Sequence, residues 1–82
     1  MKKRLRKQLE HIQDSIRGNV ISLQGLLGTF NRLSEIIDSV TDVGCREDLE
    51  ITKNDIEHSI DALIENTENL FESYKNIIDN IE

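Results

Sequence analysis

The sequence predicts an all-α protein, a long antiparallel helical hairpin that dimerises into a four-helix bundle or coiled coil. Three observations predict it. Apolar residues step by three and four through the first half of the chain, the same spacing returns in the second half, and the strongest turn signal, around Gly44, separates the halves. Such steps place apolar residues on one stripe of an α-helix, which another helix must cover.

The first stripe is a heptad seam, in which positions a and d of the repeat abcdefg are apolar. The a positions are Leu9, Ile16, Leu23, Phe30 and Ile37, and the d positions are Leu5, Ile12, Asn19, Leu26, Leu33 and Val40. Asn19 is the only polar member. Because one polar residue in a seam commonly fixes register and helix number, we interpret Asn19 as a specificity device, with Tyr74 as a candidate hydrogen-bond partner.

Three glycines lie within the predicted first helix, off the seam at positions c and f, and each costs about 1 kcal/mol relative to alanine inside a helix. Gly18, Gly25 and Gly28 leave the phase of the seam unchanged, whereas a turn would normally reset it. We therefore predict one continuous helix over about residues 3–42. The alternative is a three-helix bundle broken near residue 18.

A turn is expected at about residues 43–46, because Gly44 suits the left-handed conformation of a helix C-cap. Helix 2 then covers about residues 47–81, with an error of about four residues. A later start is the alternative, since Thr52 and Asp55 resemble a capping box.

The stripe of helix 2 is wider than that of helix 1. Its apolar residues are Leu49, Ile56, Leu63, Leu70 and Ile77 at d, Ile60, Tyr74 and Ile81 at a, and Ile64, Phe71 and Ile78 at e. Lys53 and Thr67 are the polar members of its a series. Three apolar positions per heptad indicate a helix that contacts more than one neighbour.

A fold-back at Gly44 pairs residue i with roughly residue 90 minus i. Apolar residues beside the seams would then stay exposed, namely Val20, Leu27, Ile36, Ile64, Phe71 and Ile78. A second hairpin would cover them, so we expect a homodimer. The residues expected in the seam and dimer core are Leu9, Ile16, Leu23, Phe30, Ile37, Ile60, Leu63, Leu70, Phe71 and Ile77.

Charge is distributed unevenly. Five of the ten basic residues lie in the first seven positions, Lys2, Lys3, Arg4, Arg6 and Lys7, and all sixteen acids follow, so residues 8–82 carry 5 minus 16, or −11. The basic start either lies beside the acidic end of helix 2, with Asp79 and Glu82, or acts as an arm for nucleic acid or anionic lipid. The overall acidity does not favour direct nucleic-acid binding.

Helix 2 carries most of the negative charge. Residues 46–82 hold eleven acids and three bases, a net of −8. Five acids fall on the outward b and f positions: Asp61, Glu65, Glu68, Glu72 and Asp79. They either form the ordinary solvated face of a coiled coil or bind a basic protein partner by mimicking the charge of DNA.

No pattern in the sequence indicates catalysis or a cofactor. Asp55 and His58 have a spacing used by metal ligands, but they and His11 occupy outward c and f positions. Cys45, the only cysteine, excludes an internal disulfide and is compatible with a reducing cytoplasm. We therefore expect a soluble, cytoplasmic protein that is not an enzyme, with no metal, cofactor or small-molecule substrate and no membrane span.

Two kinds of function fit these features. The first is a protein-binding regulator or inhibitor of phage or mobile-element type, an acidic helical dimer that engages a basic, DNA-binding protein. The second is a structural or assembly hairpin that binds through apolar surface. In length and helix layout the chain resembles the small secreted hairpins of the WXG type, although Val43-Gly44-Cys45 stands in place of their Trp-X-Gly turn.

Overall fold

Two long helices make up the fold. The computed structural model describes the backbone of residues 2–81 and the side chains of residues 3–80. Helix α1 covers Lys2–Ser39 and helix α2 covers Val43–Ile81, with residues 40–42 between them. The helices pack antiparallel along their whole lengths into a rod of 61 × 15 × 13 Å. The predicted all-α hairpin is confirmed.

The turn lies about three residues earlier than expected, and Gly44 does not form it. Asp42 begins α2: its backbone oxygen accepts from the Arg46 N–H at 2.9 Å, and its Oδ1 accepts from the Gly44 N–H at 3.1 Å. This is the geometry of an N-cap aspartate. Gly44 is helical and has a negative φ, so the expected left-handed C-cap is wrong, as is a start at Thr52, which lies inside α2.

The seam between the helices is the buried part of the molecule. Every a and d position from Leu5 to Val40 in α1 and from Leu49 to Ile77 in α2 is buried or half-buried. Within residues 3–80, however, only Ile37, Ile60 and Thr67 are nine-tenths or more buried. A single pair of helices cannot enclose its own seam, because each seam residue still borders solvent on one side.

The register of the hairpin differs from the expected one by about one helical turn. Asn19 hydrogen-bonds Thr67, and Gln13 hydrogen-bonds Tyr74, so residue i lies near roughly residue 86 minus i. The expected register placed Leu23 opposite Thr67, so that each a position of α1 faced an a position of α2. The observed register pairs each a position with a d position, and the earlier turn at Asp42 is the reason for the shift.

Helix α1 is continuous through its glycines, which confirms the expected single helix and excludes a break near residue 18. A Cβ atom built on Gly18, Gly25 or Gly28 would meet nothing within 4 Å. No packing contact of the single hairpin therefore requires glycine at these positions. Each glycine increases the conformational entropy that the chain loses when α1 folds, compared with alanine at the same position.

Replacing Asp42 by alanine should lower the free energy of unfolding by about 1 kcal/mol, because the Gly44 N–H loses its acceptor. For a chain of this size the melting temperature should fall by roughly 4–8 °C. Thermal unfolding followed by far-UV circular dichroism measures this. Asp42→Asn keeps a capping oxygen and is the matched control. Equal destabilisation by both substitutions would contradict the capping role.

The substitutions Gly18→Ala and Gly25→Ala should each raise the free energy of unfolding by roughly 0.5–1 kcal/mol, because space is open and the unfolded chain loses entropy. The same melting experiment measures the gain. A loss of stability in either variant would show that another backbone approaches this side of α1.

Candidate interaction surfaces

A polar layer lies in the middle of the seam. Asn19 donates both protons of its Nδ2, one to Asn66 Oδ1 at 2.8 Å and one to Thr67 Oγ1 at 3.1 Å. The Thr67 hydroxyl in turn donates to the Leu63 carbonyl oxygen at 2.7 Å. Polar groups in a seam must find partners there or lose hydration without compensation. Because only one register satisfies these groups together, the layer fixes the alignment of the helices.

The other polar seam residues also find partners. Lys53 extends along the seam so that its Nζ lies 4.9 Å from the centroid of the Phe30 ring, a cation–π distance. Tyr74, expected to pair with Asn19, instead accepts a hydrogen bond on its Oη from Gln13 Nε2 at 3.0 Å. That expectation is wrong because the register shift moves Tyr74 about one turn farther from Asn19. Asn19 now stands level with Thr67, about two turns before Tyr74.

One side of the hairpin is apolar beside the seam. In antiparallel helices the e rows lie on the same side, and Gln13, Phe71 and Tyr74 accordingly line one open groove of about 470 Å³ with Ile16 and Arg17. We call the e-row residues Val20, Leu27, Ile64, Phe71 and Ile78 the apolar flank. The first four are 41%, 47%, 42% and 55% exposed, and Ile78 is half-buried.

The opposite side of the hairpin is neutral and mostly polar. We call its g-row residues the neutral flank: Gln8, Ser15, Ser22, Thr29 and Ile36 in α1, with Thr52, Ser59, Asn66, Ser73 and Asn80 in α2. None is charged, and Ile36, 42% exposed, is the single apolar member. The two flanks therefore differ in chemistry, and a contiguous apolar surface exists on only one of them.

The five acids singled out in the sequence lie on the exposed side of α2. Asp61 and Glu68 occupy the b row next to the apolar flank, whereas Glu65, Glu72 and Asp79 occupy the f row that faces directly away from α1. We call the five together the acidic stripe. The b-row acids border an apolar surface and the f-row acids border only solvent, so the two rows can serve different contacts.

The basic start of the chain lies beside the end of α2. An open groove at this end is lined by Arg4, Lys7 and Gln8 together with His11, Ile12 and Ile77. Asp79 is exposed on the same end of the rod. The antiparallel arrangement thus brings the basic segment next to the last turns of α2, as the first interpretation of the basic start requires. The side chain of Lys2 and all of Glu82 lie outside the described residues.

The remaining candidates for chemistry are exposed and separate. His11, Cys45, Asp55 and His58 all lie at the surface. Across residues 3–80, no three histidine, cysteine or acidic side chains are grouped closely enough to hold a metal ion. In the part of the chain that the structure describes, neither helix has an apolar segment long enough to cross a bilayer.

The ten residues expected in the seam and dimer core divide into two groups. Nine lie between the helices, buried or half-buried, whereas Phe71 projects from the apolar flank. Sequence reasoning missed Asn66 and Gln13 as partners of the polar seam residues. Requiring the polar Asn19 to meet the polar Thr67 would have found the register, because only one alignment brings them together.

The chain was also compared with known proteins. No protein-family model, curated protein or solved structure matches it.

Replacing Thr67 by valine should cost about 1 kcal/mol of unfolding free energy, because one proton of the Asn19 amide loses its acceptor in a half-buried site. Adding Asn19→Leu should restore most of that loss, since an apolar layer leaves no unpaired group. Chemical denaturation of the single and double variants measures both changes. Tyr74→Phe, which removes an exposed hydrogen bond, is the control and should change stability by only a few tenths of a kcal/mol. No recovery in the double variant would contradict the layer.

Proposed function

We propose that this protein is a non-enzymatic regulator or inhibitor that binds a basic, DNA-binding protein through the acidic stripe of α2. The observation that carries the proposal is the exposure of all five acids along one side of one continuous helix, α2. The two grooves beside the seam, one next to Phe71 and one next to Ile77, are both open to solvent. A rigid acidic rod is suited to binding another macromolecule by charge and shape.

Electrostatic complementarity supplies selectivity and speed to such a contact. Opposite charges steer the partners together and exclude surfaces of the same sign. Helix 2 keeps a net of −8 over residues 46–82 although self-repulsion opposes folding at this charge. A basic partner surface would relieve that repulsion on binding.

The charge spacing determines how far the stripe can mimic DNA. Its first and last acids, Asp61 and Asp79, are 79 minus 61, or 18, residue steps apart, which is roughly 27 Å at 1.5 Å per step, or about one charge per 5 Å. Duplex DNA carries one charge per about 1.7 Å of axis. One stripe therefore reaches about a third of the density of a duplex, and a homodimer with two stripes reaches about two-thirds. The proposed function accordingly includes self-association.

The second candidate function is an assembly hairpin that binds a helical partner through apolar surface. The observation that favours it is the apolar flank, whose four exposed members include a 55% exposed Phe71. Apolar cores with aromatic residues provide most of the binding energy in many interfaces. In this function charge changes on the acidic stripe would have little effect, whereas Phe71→Ala would abolish binding.

Photo-crosslinking from positions 65 and 72 of α2 should capture a basic DNA-binding protein in the native host, and positions 14 and 35 of α1 should not. With the purified partner, neutralising the outward row by Glu65→Gln, Glu72→Gln and Asp79→Asn should weaken binding about tenfold or more, because three favourable charge contacts are lost. The affinity should also fall as salt rises.

The matched control removes the same three charges from α1 with Asp14→Asn, Glu35→Gln and Asp38→Asn. It should leave most of the affinity, since only the long-range, screened part of the attraction changes. Equal weakening by both triple variants would show that net charge, and not the stripe, governs binding. If both triple variants bind the partner as tightly as the original protein and Phe71→Ala abolishes binding, the assembly hairpin is favoured instead.

A further inference from the structure

A single hairpin leaves one broad apolar surface without cover. The apolar flank runs from the level of Leu27 to that of Ile78, roughly 30 Å at 1.5 Å per residue, along a rod 61 Å long. The exposed parts of Val20, Leu27, Ile64 and Phe71 together provide on the order of 300 Å², a size at which apolar patches are often functional. The same patch of a second copy would cover it.

The charges that border the apolar flank select its occupant. The b rows of the two helices lie along the two edges of the apolar flank. In the observed register, a residue of one b row stands level with the residue of the other b row when their residue numbers add up to 85, as those of the hydrogen-bonded Asn19 and Asn66 do. At two of these heights the signs are opposite: Arg17 stands level with Glu68, and Glu10 stands level with Lys75. They lie on opposite edges of one hairpin. A second copy, turned by a two-fold axis along the rod, would bring each of them against its complement.

We infer that two copies of this chain pack through their apolar flanks with like ends together, so that α1 of one copy lies on α2 of the other. Arg17 then meets the partner's Glu68, and Glu10 meets the partner's Lys75, twice each by symmetry. The dimer buries Val20 and Ile64 of both copies in one apolar layer. This inference deepens the self-association that belongs to the proposed function, but it does not depend on a basic partner.

The groove beside Phe71 supports the same orientation. Gln13, Ile16, Arg17 and Tyr74 line this groove together with Phe71. With like ends together, the grooves of the two copies face each other at the same height, and each receives the partner's Phe71. The guanidinium of Arg17 would lie near that ring, an arrangement that favours binding.

The opposite orientation, with unlike ends together, is less favourable at the interface. It would lay α2 on the partner's α2, so that Glu68 meets the partner's Asp61 and Phe71 meets the partner's Glu57. The net charges of the rod ends do favour it, because the turn end is acidic and the open end is basic. Most of those charges point away from the flank, and solvent screens them beyond about 8 Å. Two kinds of contact oppose the inferred dimer, each present twice by symmetry: Asp38 with the partner's Glu47 at the turn, and Leu27 with the partner's Glu57 on the flank.

The dimer would also arrange the acidic stripes for the proposed function. The two α2 helices lie diagonally across a bundle roughly 20–24 Å wide, twice the diameter of a helix with its side chains. Glu65, Glu72 and Asp79 of each copy point outward on opposite sides. Two acidic rows at this separation can contact both walls of a channel that holds a duplex.

A distance measurement between spin labels tests the orientation on the intact chain. Cys45 is the only cysteine and is exposed next to the turn, so a nitroxide can be attached to it without further changes. In the inferred dimer both labels lie at the same end, and the expected label separation is roughly 20–35 Å, about the width of the bundle. A separation of about 50 Å, or a protein that sediments as a monomer at micromolar concentration, would overturn the inference.

Charge reversal tests the pairing. Arg17→Glu and Glu68→Arg should each raise the dimer dissociation constant about tenfold, because each places like charges together at two symmetric contacts. The double variant should recover most of the affinity. Arg32→Glu makes the same charge change away from the apolar flank and should leave the dimer unchanged. Circular dichroism verifies that each variant keeps its helices.

The outcomes separate this inference from the proposed function. Absence of recovery in the double variant, or equal weakening by Arg32→Glu, would overturn the pairing whether or not a basic partner exists. None of the three variants changes Glu65, Glu72 or Asp79. A dimer that forms as inferred but binds no basic protein would instead contradict the proposed function alone.

Discussion

The structure depends on one constraint, the alignment of two heptad seams by the polar layer at Asn19 and Thr67. Apolar side chains alone would tolerate a slide of one turn, because leucine and isoleucine fill similar spaces along the seam. The amide of Asn19 tolerates no such slide, because a slide would break its hydrogen bonds to Asn66 and Thr67. A slide would also separate Gln13 from Tyr74. The polar groups therefore convert a general tendency to pair into one register.

Antiparallel packing of the two seams determines which surfaces exist, and the register determines which residues stand level on them. The e rows of both helices lie on one side and the g rows on the other. The first side contains Val20, Leu27, Ile64 and Phe71, and the second contains chiefly serine, threonine and asparagine. Each helix is thus amphipathic, with an apolar seam and a polar outer face. The pair of helices is amphipathic as well, because one flank is apolar and the other is polar. Burial is incomplete because two helices cannot enclose their own seam, and Ile37 and Ile60 are the only apolar residues among those described that are nine-tenths or more buried.

Much of the fold could be predicted from the sequence, because a seam that keeps its phase over five heptads leaves few alternatives. The continuity of α1 through Gly18 and Gly25 followed from that phase. The turn could not be fixed in the same way, since Gly44 is a good C-cap and Asp42 is a good N-cap only two residues apart. Choosing Gly44 moved the register by about one turn and assigned Tyr74 to Asn19. The positions of the acids and of the two flanks were predictable from the heptad, but which residues stand level with one another required the register.

From the exposed apolar flank and the outward acids we propose one arrangement, a hairpin that completes its core with a second copy and presents charge on the outside. Small-angle X-ray scattering of the free protein tests this most directly. Two rods side by side with full overlap should show twice the mass of the chain and a maximum dimension still near the 61 Å length of one hairpin. A scattering mass equal to one chain, or a doubled mass with a maximum dimension near twice that length, would contradict it.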